Sequence, residues 1–154
     1  VRPPTKKIGQ ISSTARVLIV DDDAAIRSFL FDALNGAGYL THLAEDGEEG
    51  WEALRSDRFD ALITDHEMPR LTGLDLIRRV RAVPLQVPVI LMSGELPSED
   101  AGLSKLLPPG ITLNKPFSVA DLLSKLRSIL IPAAHPGETG SDPTAVECGG
   151  LVRG

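Results

Sequence analysis

The sequence predicts an α/β fold, a doubly wound parallel sheet of five strands with helices on both faces. Two observations carry this prediction. Short continuous apolar runs alternate with stretches of helical i, i+3, i+4 apolar spacing, and parallel strands joined by right-handed crossovers place helices on each side of a sheet. The residues that close the apolar runs are also chemically pointed: Asp21, Asp22 and Asp23 after the first, Asp65 after the third, Ser93 after the fourth and Lys115 after the fifth. Ligand sites in open α/β sheets lie beyond the carboxyl ends of the strands, which is where these side chains fall.

Val17-Leu18-Ile19-Val20, stopped by three aspartates, has the pattern of a strand buried on both faces. Ile26, Phe29, Leu30, Ala33 and Leu34 then repeat at helical spacing, and Gly36 supplies a helix end. A second strand is expected over Leu40 to Ala44. A short helix over Glu48 to Leu54 would turn Trp51 and Leu54 toward the sheet. The third strand is expected over Phe59 to Thr64, followed after the Pro69 to Gly73 turn by a helix carrying Leu76, Ile77 and Val80. Val87 to Met92 forms the fourth strand in this reading, and Ser98 to Leu107 a weak helix with Gly102 inside it and Pro108-Pro109-Gly110 to stop it. Ile111 to Asn114 is the last strand. Ser118 caps a final helix whose Leu122, Leu123, Leu126, Ile129 and Leu130 form one apolar face.

The chain has 154 residues, 42% of them apolar, enough for one core with tails and too few for two ordinary domains. Residues 1–14, with Arg2, Lys6 and Lys7 ahead of Ser12-Ser13-Thr14, are expected to be a leader or linker, and residues 132–154, rich in Pro, Gly, Ser and Glu, a disordered tail. The domain between them spans residues 15–131. No effector domain is expected after Ile131, so the unit either stands alone or has been cut from a hybrid kinase. A formal charge of −5 leaves no cationic excess to neutralise a phosphate backbone, which argues against direct nucleic-acid binding. Cys148 is the single cysteine and no apolar run reaches the roughly 18 residues of a membrane span, so a reducing, cytoplasmic setting without membrane association is expected.

Carboxylates gathered at one sheet edge raise one another's pKa unless a cation intervenes. Mg²⁺ takes one or two protein carboxylates, keeps several waters and offers the rest of its shell to phosphoryl oxygens. Lys115 adds a point charge and Ser93 a hydroxyl donor, both suited to phosphoryl oxygens. Asp65 can then act as nucleophile, since phosphoryl transfer needs mainly positioning and charge neutralisation. The product would be an acyl phosphate.

At this point the residues resemble a known family. Val17 to Asp22, Asp65-His66-Glu67-Met68-Pro69, Ser93-Gly94 and Lys115-Pro116-Phe117 are similar to the motifs of response-regulator receiver domains, over roughly Ala15 to Ile131. The resemblance implies the flavodoxin-like strand order 2-1-3-4-5. It implies Mg²⁺ held by Asp21 and Asp22, one directly and one through water, by Asp65, and by the backbone carbonyl of Glu67. Asp65 would be the phosphorylated residue, with Ser93 bonding the phosphoryl group and Lys115 pairing with it. A cis bond before Pro116 is implied too. The expected phosphodonor is a sensor histidine kinase or a histidine phosphotransfer protein, and the phosphorylated domain would switch its binding to a downstream protein that these residues do not identify. A monomer or weak dimer is expected, with at most self-catalysed phosphorylation and dephosphorylation. Thr112 stands where many relatives carry an aromatic switch residue, and the Pro108-Pro109-Gly110 run disturbs the surface through which many of them dimerise.

Two other classes compete. Phosphatases of the haloacid-dehalogenase type also combine an Asp nucleophile with Mg²⁺, Ser or Thr, and Lys. Glu67 meets their second-acid position only loosely, and Met68-Pro69 does not continue the pattern. A degenerate, unphosphorylated scaffold would lack a site residue, and none is missing. His66 is expected to turn away from Asp65 by strand alternation. His42 and His135 stand isolated and suggest no zinc site. Trp51 is expected to anchor the second helix, and Arg78, Arg79 and Arg81 to form a solvated outer helix face.

Overall fold

The computed structural model describes residues 14–95 and 101–130. Its elements run β1 (Arg16–Val20), α1 (Ala24–Gly36), β2 (Leu40–Ala44), α2 (Gly47–Ser56), β3 (Ala61–Asp65), α3 (Gly73–Arg81), β4 (Val89–Ser93), α4 (Ala101–Leu106), β5 (Gly110–Asn114) and α5 (Val119–Leu130). The strands form one parallel sheet in the order β2-β1-β3-β4-β5, the fold class and the order both expected. Apart from Thr14, the expected leader and tail lie outside the described residues, as does the start of the expected fourth helix.

The alternation of strand side chains divides the core into two layers. Leu18, Val20, Leu62, Val89 and Leu91 pack with Leu54, Leu76, Ile77 and Val80 on one face. Val17, Ile19, Ile63, Ile90 and Met92 pack with Leu30, Leu34, Leu122 and Leu126 on the other. Residues on β1, β3 and β4 from both sets are fully buried, which is why these strands appear in the sequence as unbroken apolar runs. Trp51 packs part-buried against the first layer, with the Arg55 guanidinium 5.9 Å from its ring.

The helix starts are chemically defined. Asp23 caps α1 by accepting from the Ala25 and Ile26 N–H groups at 2.8 and 3.3 Å. Thr72 and Asp75 form a reciprocal capping box on α3. Ser118 accepts from Asp121 N–H at 3.0 Å while Asp121 accepts from Ser118 N–H at 3.2 Å, as the sequence led one to expect of this cap.

Several expectations are corrected. β3 and β4 sit later than predicted, so Asp65 and Ser93 are the last residues of their strands rather than the first beyond them. The backbone hydrogen bonds of the ladder extend into these polar residues because their main chains are as pairable as any other. Phe29 was expected in the apolar face of α1 but is 41% exposed, because the sheet is already covered there by Leu30 and Leu34. Arg81 was expected on a solvated face. It turns inward instead, donating to the carbonyls of Leu106, Val87, Leu107 and Pro109 at 2.8 to 3.0 Å and tying α3 to the end of α4. Arg78 and Arg79 do face outward, paired with Asp75 and Glu48.

Candidate functional site

The carboxyl ends of β1, β3, β4 and β5 converge because the strands are parallel and in near register. Val20 lies beside Thr64, Asp65 beside Met92, and Ser93 beside Asn114. Asp21 and Asp22 therefore leave β1 next to Asp65 at the end of β3, and Lys115 follows β5. One carboxylate oxygen from each of Asp21, Asp22 and Asp65 can be chosen so that all three lie within 4.8 Å of one another. Lys115 Nζ donates to Asp65 Oδ1 at 2.6 Å. The Asp65 side chain is only 4% exposed, and that of Lys115 29%.

The backbone around these groups is closely held. Asp21 N–H donates to Ala44 O at 3.2 Å, and Lys115 N–H to Ser93 O at 2.9 Å. His66 N–H donates to Met92 O at 2.9 Å and Gly73 N–H to His66 O at 3.1 Å, so the turn after Asp65 folds back on the strand end. Gly73 is required there: a Cβ at this position would lie 2.3 Å from the Asp65 carbonyl oxygen. The peptide bond between Lys115 and Pro116 is cis, as the resemblance implied, and that between Pro108 and Pro109 is cis as well.

Electrostatically the site is unsettled without a cation. Burial, reinforced by Asp65 and Asp22, pushes the Asp21 carboxyl up to about 6 despite the Asp23 N–H that Asp21 Oδ1 accepts. Burial also raises Asp65, outweighing the hydrogen bond and charge of Lys115, with Glu67 and Asp22 adding to the rise. For Lys115 burial acts downward, but the hydrogen bond and charge of Asp65 overcome it and hold the ammonium above its ordinary value. Asp21 Oδ2 is buried and has no hydrogen-bond partner among the described residues. An orphaned buried oxygen on a carboxylate clustered with two others is what a hard, oxygen-preferring divalent cation would satisfy. The donor set therefore fits Mg²⁺.

All the expected site residues reach this edge, but Glu67 does more than expected. Its side-chain Oε2 accepts the Ser93 hydroxyl at 2.6 Å, and Ser93 Oγ accepts in turn from Glu95 N–H at 3.1 Å. Arg27 was missed. Its Nη1 donates to the Asp21 carbonyl at 2.7 Å, and its place one turn into α1 after the acidic run was the available signal. Beside Lys115 lies an apolar cleft of about 440 Å³ lined by Ile26, the exposed Phe29, Pro116 and Phe117. His66 Nδ1 is buried without a hydrogen-bond partner among the described residues.

A doubly wound sheet with a lysine-paired carboxylate among other acids at its carboxyl edge defines a phospho-acceptor class of α/β protein. The chain belongs to the response regulator receiver domain family, whose profile matches residues 17–127. Accepting a phosphoryl group in two-component signalling is the general role of that family. Among individual proteins, it is 35% identical over 139 residues to the response regulator MprA of Mycobacterium ulcerans, an alignment covering 86% of this chain and 57% of that protein. The chain thus spans little more than half the length of this curated relative. Among solved structures it resembles the chemotaxis response regulator CheY4 of Vibrio cholerae, with TM-score 0.70 and 32% identity over 77% of this chain and 100% of that one. It also resembles TrrA of Thermotoga maritima in complex with Mg²⁺ and BeF, with TM-score 0.69 and 29% identity over 76% of this chain and 100% of that one.

Proposed function

We propose that Asp65 accepts a phosphoryl group from a phosphohistidine of a sensor histidine kinase or a histidine phosphotransfer protein. The observation that carries this reading is the Asp65 carboxylate, almost wholly buried at the strand end and held at 2.6 Å by Lys115. A carboxylate oxygen of Asp65 forms a new bond to phosphorus as the donor's P–N bond breaks, and the departing imidazole keeps the electron pair. Lys115, held protonated, moves its charge from the carboxylate to the oxygens of the transferred group. Ser93 contributes its hydroxyl proton to another of those oxygens.

Asp21, Asp22, Asp65 and the backbone carbonyl of Glu67 would hold Mg²⁺. When bound, the cation supplies charge neutralisation for the crowded carboxylates and the phosphoryl oxygens. Arg27 and Asp23 keep the Asp21-Asp22 segment in place from α1. The apolar cleft of Ile26, Phe29, Pro116 and Phe117 gives the face of a donor helix somewhere to pack beside Lys115. The domain acts as a signalling receiver, not a turnover enzyme, in a cytoplasmic setting, and passes its state to a downstream protein. The net charge of −5 supports protein partners over direct nucleic-acid contact by this segment.

Acetyl phosphate supplies the test. In Mg²⁺ the wild-type chain is expected to gain one phosphoryl group by intact mass, and Asp65→Asn none, since an amide is no nucleophile here. A phosphorylated Asp65→Asn chain would assign the chemistry to another residue.

A further inference from the structure

A serine hydroxyl has one proton to give. That of Ser93 goes to Glu67 Oε2 at 2.6 Å, a distance typical of a charge-assisted O–H···O⁻ bond. One of the two acceptor lone pairs of Ser93 Oγ takes the Glu95 N–H at 3.1 Å. Ser93 is fully buried, so bulk water does not compete for the proton, whereas Glu67 is exposed and can withdraw its carboxylate into solvent. The two uses of the hydroxyl exclude each other: Ser93 bonds Glu67 or it bonds an incoming anion.

We propose that the Glu67 carboxylate is a stand-in for the phosphoryl group on Ser93, so that phosphorylation of this domain proceeds by exchange of one anion for another. The inference rests on the phospho-acceptor reading above. Glu67 is then a positioning residue with two opposed effects. It keeps the Ser93 hydroxyl aimed as a donor in the resting state, and it must be displaced before that donor can serve the transferred group. The unphosphorylated state is favoured by the bond that is lost, and the end of β4 is held by Glu67 rather than left to search for a partner.

The experiment measures binding of beryllofluoride, as a stable phosphoryl mimic, and the rate of phosphorylation by acetyl phosphate, both in Mg²⁺. Removing the competitor in Glu67→Ala is expected to tighten beryllofluoride binding roughly tenfold, the factor that corresponds to about 1.4 kcal/mol. Glu67→Gln, which keeps an oxygen acceptor but no charge, should fall between Glu67→Ala and wild type. In a Ser93→Ala background the gain from Glu67→Ala should vanish, because the contested hydroxyl is gone. In the metal-free protein, Glu67→Ala should shift the Glu95 amide proton resonance, since the Ser93 oxygen it donates to is no longer polarised by a carboxylate. Equal affinity and rate in wild type and Glu67→Ala would overturn the proposal, as would a gain that persists undiminished in Ser93→Ala, which would mark a general charge effect. Those outcomes leave the phospho-acceptor reading intact. A wild-type chain that takes neither beryllofluoride nor a phosphoryl group would sink that reading and the exchange with it.

Discussion

Replacing Asp21 by asparagine should stabilise the metal-free protein at neutral pH, even though it removes a group assigned to the site. Burial and the neighbouring acids raise the Asp21 carboxyl from its ordinary 3.8 to about 6. At 1.36 kcal/mol for each tenfold change in proton affinity, the ionised form costs the fold about 3 kcal/mol at pH 7. Between roughly pH 4 and 6 the folded chain retains a proton that the unfolded chain has released. The contribution of this group to stability is therefore highest below pH 4, falls as pH rises to about 6, and stays at the lower level above that. An asparagine never ionises and escapes the loss. Its Oδ1 can still accept the Asp23 N–H, but its amide nitrogen replaces the orphaned Oδ2 and needs an acceptor from Asp22 or Asp65, or costs about 1 to 3 kcal/mol. With that cost set against the roughly 3 kcal/mol, the expected net gain is up to about 2 kcal/mol at pH 7.5, or up to roughly 8 °C in Tm. Urea denaturation in EDTA at pH 7.5 and at pH 4 would measure it, with the advantage of Asp21→Asn lost at the lower pH. A variant less stable than wild type at pH 7.5, or one whose advantage is the same at both values, would refute the reasoning. Added Mg²⁺ should narrow the difference, since it stabilises the wild-type fold more than the variant.

Asp22→Ala should weaken Mg²⁺ binding at least about tenfold by removing a charged oxygen ligand, and a titration that matches wild type would remove Asp22 from the metal site. Arg81→Ala should destabilise the fold by about 2 to 4 kcal/mol, because three carbonyls at the α4–β5 connection and that of Val87 before β4 lose a cationic donor. Amide exchange should rise over residues 106–110 in that variant. A stability within about 0.5 kcal/mol of wild type would return Arg81 to the solvated face that its spacing in the sequence suggests.

The alternation of apolar runs and helical spacing was enough to determine the α/β class, because a strand buried on both faces must be apolar at every position and a covering helix at only one face. Strand-end placement likewise singled out Asp21, Asp22, Asp23, Asp65, Ser93 and Lys115, since parallel strands bring their carboxyl ends to one edge whatever the details of packing; that Asp23 serves instead as the cap of α1 is a matter of its hydrogen bonds. The exact strand ends were less legible, because Asp65 and Ser93 pair through their main chains, which carry no mark in the sequence. Side-chain destinations were beyond it altogether. Arg78, Arg79 and Arg81 are the same residue type within one turn of α3, yet Arg81 alone is drawn to the carbonyls of Leu106, Leu107 and Pro109, which only the packing of α3 against the end of α4 brings within reach. Glu67 is the sharper case. The resemblance to receiver domains implied a role for its backbone carbonyl, but its carboxylate reaches Ser93, 26 residues away, because β3 and β4 end side by side. Spacing along the chain determines which groups arrive at the edge of the sheet; the competition among them for a single proton is decided by distances that exist only after the strands have paired.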